Sequence, residues 1–149
     1  MDLTESSRQA SEQRHLAEFL LARIAEDEEY ASAAVQHVGD VRHASWQVSG
    51  SGDVVHAHRG SPVAIGPWGT GVDGARHIAR WGPARVLHEC EVKRSLITRA
   101  VNGRRRAEAA KEGSGRRLLV VRAATLENTL RFLALPYAEH PEYVDEWRL

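Results

Sequence analysis

The chain has 149 residues, 42% of them apolar and 27% charged, with 20 Lys+Arg balancing 20 Asp+Glu. That composition excludes a wholly disordered or collagen-like chain, and the length suits one domain with a core of ordinary size, expected to span 1–149 behind a frayed tail at 1–10. A single cysteine, Cys90, rules out an internal disulfide framework and a zinc ribbon built on cysteine pairs.

No apolar run approaches the roughly 18 residues of a membrane span, and the opening Met1-Asp2-Leu3-Thr4-Glu5 lacks the pattern of a signal peptide, so the expected compartment is the cytoplasm, with no membrane partner. Neutrality hides a partition. Residues 1–40 carry nine acids and three arginines, whereas residues 85–131 carry twelve basic residues and five glutamates. The chain is therefore electrically polarised along its sequence.

From Ser11 to Val38, Leu16, Leu20, Ile24, Ala31, Val35 and Val38 recur at spacings of three, four or seven, which predicts a helix with Ser11 as its N-cap and Gly39 as its C-cap. The Glu26-Asp27-Glu28-Glu29 run reads as a solvated turn of that helix. Between Val41 and Trp81 the pattern shortens. Ala44–Val48, Asp53–His58, Pro62–Ile65 and His77–Trp81 are β-compatible segments separated by Ser49-Gly50-Ser51-Gly52, Arg59-Gly60-Ser61 and the Gly66 to Gly74 stretch, which predicts an antiparallel meander of three to four strands. Its buried face must be covered by helices, so the fold class is α+β in two layers.

Gly82-Pro83 marks the next helix start, with Pro83 at the first helical position, where its missing N–H costs nothing. Val86, Cys90, Ile97 and Val101 form its stripe, and the helix is expected to run to about Lys111 and stop at Gly113-Ser114-Gly115. Leu119, Ala123, Leu126, Leu130 and Leu133 then step by 4, 3, 4, 3, a heptad-like seam ending at Pro136. The short link makes the two an antiparallel hairpin. In the tail, Pro141 is read as the start of a short helix carrying Tyr143 and Trp147 on one side; Trp81, Pro83, Pro136, Tyr137, Tyr143 and Trp147 are the expected structural anchors.

Two stretches are distinctive: His77-Ile78-Ala79-Arg80-Trp81-Gly82-Pro83-Ala84-Arg85-Val86-Leu87 with Glu91-Val92-Lys93-Arg94, and Leu130-Arg131-Phe132-Leu133-Ala134-Leu135-Pro136-Tyr137-Ala138-Glu139-His140-Pro141 with Tyr143, Glu146 and Trp147. They resemble an actinobacterial family of small proteins of unknown function, found also in actinophages, whose opening helix is similar to the Leu20 to Glu29 region. Many of those relatives place what looks like a zinc-binding hairpin between the two conserved helices. Here the corresponding Thr98 to Leu126 has neither cysteine nor histidine, so no such site carries over. The resemblance implies a folded unit and brings no activity.

Four features carry chemistry. Gly69-Thr70-Gly71-Val72-Asp73-Gly74 has the G-x-G-x-x-G spacing of a dinucleotide site, but only Ala75 to Trp81 remain before Gly82-Pro83, and these read as strand, so the stretch is taken as a loop. His56 and His58 point the same way at i,i+2 and would need a third ligand to hold a metal; a solvent-facing sheet surface is the simpler reading, and no cofactor is expected. Cys90 lies on a helix stripe that is apolar, where a thiol behaves as a small apolar group. Arg104, Arg105, Arg106, Lys111, Arg116 and Arg117 cluster about the helix link and are the candidate partner-binding residues. No aromatic lies between Trp81 and Phe132, which argues against base stacking there. The expected function is a non-catalytic protein-interaction or regulatory module that binds a protein partner or itself. The alternatives are a non-specific nucleic-acid binder using the basic link and a metal-dependent enzyme using the sheet histidines.

Overall fold

The structure is a computed structural model that describes residues 3–35, 45–57, 60–64 and 71–148. Its elements in chain order are helix α1 (Leu3–Ala33), strands β1 (Trp46–Val48), β2 (Val54–His56) and β3 (Pro62–Ala64), and helices α2 (Gly71–Arg80), α3 (Pro83–Ala109) and α4 (Ser114–Ala134), followed by 3-10 turns at Leu135–Tyr137 and Asp145–Trp147. The fold is α+β and mostly helical. The chain falls into two compact units, one of Met1–Ala25 with Val92–Leu149 and the other of Glu26–Glu91.

In the first unit the α1 stripe does what its spacing dictates. Leu16, Leu20 and Ile24 are fully buried, and each such side chain stabilises the fold by about 1.5–3 kcal/mol relative to exposure. Gln13 is buried on the same stripe and its side-chain amide donates to the Ala100 carbonyl at 3.4 Å. From α3, Ile97, Ala100 and Ala107 join the core; from α4, Ala123, Leu130 and Ala134 do. Residues 110–113 link α3 to α4, and Gly113 takes φ +148° there, a value that side chains beyond glycine avoid. Gly103 faces Leu126 and Arg104 approaches Glu127, the pairing of an antiparallel hairpin.

Two expectations about the ends of this unit are corrected. Helix α1 begins at Leu3 rather than Ser11. Residues 3–13 contain no Gly or Pro, an Arg8–Glu12 pair at 3.5 Å spans one turn, and extending a helix that is already nucleated costs little. Pro141 does not start a helix. The Tyr143 N–H donates to the His140 carbonyl and the Glu142 N–H to His140 Nδ1, closing a turn that holds residues 140–143, and only Asp145–Trp147 winds into a 3-10 turn.

In the second unit the sheet has the order β1-β2-β3, both pairings antiparallel. Trp46 faces His56 and Val48 faces Val54 across β1 and β2, closed by the Ser49 to Asp53 turn in which Ser51 Oγ donates to Asp53 and the Asp53 N–H to Ser49 Oγ. An irregularity between Val54 and Val55 shifts the β2–β3 register. Val54 and Val55 are both buried, so β2 is covered on both faces rather than on the one its alternation suggested. The fourth candidate strand is helical instead: His77 to Arg80 lie in α2, and Gly71 to Gly74, read as loop, open that helix. Gly71 adopts φ +66°, Asp73 sits in the first turn and Arg80 in the last, where each charge suits the helix dipole. Ala75, Ile78 and Ala79 at i, i+3 and i+4 give α2 an inward stripe, and it packs on β1 and β2. The expected N-terminal helix end, with Val38 and Gly39, and the residues His43, His58, Gly69 and Thr70 lie outside the described residues.

Candidate interaction surface

The sequence placed its candidate site at the helix link, and the six cations there divide. Arg104 is turned inward: its Nε donates to Glu108 at 3.0 Å and its Nη1 lies 3.9 Å from Glu127. Arg116 donates to Glu112 at 2.6 Å. Arg105, Arg106, Lys111 and Arg117 are exposed and form no ion pair among the described residues.

Arg104 and Arg116 also line a cleft of about 380 Å3 between the N-terminal part of α1, the C-terminal part of α3, and α4. Ala107, Val120 and Ala123 give it an apolar floor, while Glu127 and Arg131 bring charge into it. Glu127 lies 3.9 Å from Arg104 and 4.0 Å from Arg131, both outside hydrogen-bond reach. Burial raises its carboxyl above the ordinary range, and the two arginines, which pull the other way, do not overcome it. Arg131 Nε is desolvated and has no hydrogen-bond partner among the described residues.

The opposite side of α4 was not singled out by the sequence reading. Leu118 is 70% exposed, Val121 64% and Phe132 60%, and Leu135, the first residue after the helix, is 41% exposed. They fall in one row, since the inward residues Ala123, Leu130 and Ala134 take the other side of the helix. A signal was present. Leu118, Leu119, Val120 and Val121 are consecutive apolar residues, more than one buried stripe can use. The seam at Leu119, Leu126 and Leu133 is half-buried.

The tail is the contrasting case. Trp147 is buried, 5.0 Å from Phe19 and 5.1 Å from the His15 ring between centroids. Tyr143 meets Trp147 edge-on at 5.5 Å, and Tyr137 and His140 contact Phe19 as well. Arg23, buried beside this cluster, contacts the His140 ring and lies 3.6 Å from Glu142. Lys93 donates to Tyr137 Oη at 3.1 Å. Pro136 lies within the 3-10 turn that follows α4.

In the second unit His56 is half-buried and its Nδ1 has no hydrogen-bond partner among the described residues, and His77, expected in the sheet, is exposed on α2. Among the described residues no three His, Cys, Asp or Glu side chains gather as a metal-binding group. Pro83 is buried at the first position of α3, whereas Trp81 is 43% exposed and carries the Arg85 guanidinium 4.0 Å above its ring, with Arg85 held by Glu89 at 2.7 Å. Cys90 is fully buried. No described helix is long and apolar enough to cross a membrane.

Comparison with known protein families matches residues 13–149 to a family of unknown function (DUF6221). No curated protein and no solved structure matches the chain.

Proposed function

The chain belongs to this family of unknown function, and from that premise we propose that it is a non-catalytic protein-interaction module whose partner docks on the outward side of α4. The observation that supports the reading is the row of Leu118, Val121, Phe132 and Leu135, which leaves more large apolar surface in one line than a solvated helix needs. Isolated exposed apolar residues are ordinary; four along one helix side are the signature of a covered surface. A photo-crosslinking residue at position 121 is expected to capture one protein from the native host that the same residue at Arg14, exposed on α1, does not capture. The same adducts from both positions would refute the reading.

A second reading has its own observation. Arg105, Arg106, Lys111 and Arg117 remain exposed around the link, a charge density suited to phosphates. Binding of this kind would be non-specific and would fall steeply with salt. Retention of DNA or RNA at low salt, lost when Arg105 and Arg106 are changed to Glu, is its expected result; no retention at low salt ends it.

A further inference from the structure

We infer that the segment docking on α4 is an acidic amphipathic helix of another protein; this rests on the interaction reading above and specifies the partner's chemistry. The positions Leu118, Val121, Thr125, Asn128, Phe132 and Leu135 step by 3, 4, 3, 4, 3, with Asn128 also at the edge of the cleft. A period of 3.5 keeps the row aligned with a second helix over its length, which here is about 26 Å at 1.5 Å per residue. Phe132 and Leu135 at one end and Leu118 and Val121 at the other supply apolar anchors; Thr125 and Asn128 separate them.

The flanks of the row carry one sign of charge. On one side are Arg117, Ala124 and Arg131, on the other Arg122 and Thr129, with no acid on either. Arg117 and Arg122 are exposed and make no ion pair among the described residues. A helix with glutamates at its own flanking positions therefore meets complementary charge from Arg117 and Arg122 at the Leu118–Val121 end of the row, while Arg131 is already turned to Glu127.

Two other occupants fit less well. A second copy docking the same row would set Arg117 and Arg122 against their own counterparts if parallel, or against Thr129 and the already paired Arg131 if antiparallel, and neither arrangement supplies an acid. A membrane surface accepts basic flanks but not the middle of the row. Thr125 Oγ1 donates to the Val121 carbonyl, so its hydroxyl is satisfied, whereas the Asn128 amide has no partner among the described residues. Burying that amide in lipid has a cost without return, while one polar position within a helix seam fixes the register of two helices.

The test titrates the intact protein with a synthetic peptide of about four heptads, carrying leucine at the seam, a single asparagine there, and glutamate at every flanking position. Alone, its own charge keeps this peptide unfolded. Saturable one-to-one binding by fluorescence anisotropy is expected, with a gain of helix in the circular dichroism spectrum. Affinity should decline as salt exceeds about 0.1 M, where screening acts over about 10 Å. Phe132→Ser should weaken binding at least about tenfold while leaving the protein's own unfolding midpoint in place. Arg117→Glu together with Arg122→Glu should shift preference towards a lysine-flanked version of the peptide.

Equal binding of the lysine-flanked peptide to the unaltered protein would overturn the inference, as would binding indifferent to Phe132→Ser or no binding of either peptide. Dimerisation of the protein that is abolished by Val121→Asp would assign the row to a second copy. Sedimentation with vesicles of equal phosphatidylglycerol and phosphatidylcholine, without peptide binding, would assign it to a membrane. If the crosslink at position 121 still captures one protein while the acidic peptide fails, the interaction reading survives and the acidic helix does not.

Discussion

The two sides of α4 are made of similar residues and treated oppositely by the fold. On the inner side Leu130 and Ala134 are fully buried and Ala123 nearly so; two residues from Leu130, Phe132 stands 60% exposed. The chain has the means to cover rings, because a few residues further on it folds Trp147 down against Phe19 and His15. The uncovered side is thus a matter of which residues the chain encloses rather than of a shortage of enclosing material. Residues that would serve a core are left where another molecule can reach them.

Substitutions on the covered side should produce the largest effects. Trp147→Ala is expected to cost about 3–5 kcal/mol and Leu130→Ala about 2–5 kcal/mol in denaturant unfolding. A loss of under about 1 kcal/mol for Trp147→Ala would mean that the tail does not close this core.

Glu127 lies at the border of the two sides. Its carboxyl is held above the ordinary range by burial, so the folded state favours the protonated form. Its contribution to stability is then fully present below the carboxylate range and is lost as pH rises through its raised value in the folded state. Glu127→Gln, which keeps the neutral shape, should be more stable than the unaltered protein at neutral pH, and the difference should vanish in acid. A difference that persists unchanged at low pH would show that the carboxyl is not desolvated.

Glycine substitutions sharpen the contrast at a smaller scale. A Cβ at Gly115 meets nothing within 4 Å, so Gly115→Ala should stabilise α4 by about 0.5–1 kcal/mol. At Gly103 a Cβ would approach Leu126 Cδ1 to 3.1 Å, and the same change there should gain less, since the leucine must shift. The smallest effect belongs to the open side: Phe132→Ser is expected to move stability by no more than about 0.5 kcal/mol. A larger loss would show that the ring is enclosed by its own chain.

Much of this architecture is legible from residue spacing. Pro83 starts α3, Pro136 marks the end of α4, and the buried α1 residues follow their four-residue step, because each feature is set by local backbone chemistry or one-sided burial. The reading failed where two periods compete over few residues. Ile78 and Trp81 suit a strand, and the helical Ala75, Ile78, Ala79 stripe in so short a segment prevails only once β1 and β2 supply the surface it covers. The candidate site was legible in part. Arginines at the link were found by charge, but spacing gives no account of Arg104 turning to Glu108 and Glu127; on α4 it picked out the inward seam through Ala123 and Leu130 but not the apolar row left outside it. Both depend on where other helices pass.

Cys90 gives the molecule a built-in chemical clock. It is the chain's sole thiol and has no surface open to solvent. An alkylating reagent can reach it only when the packing around α3 parts, so the modification rate under native conditions counts those openings directly, and mass spectrometry reads a single adduct with no competing site.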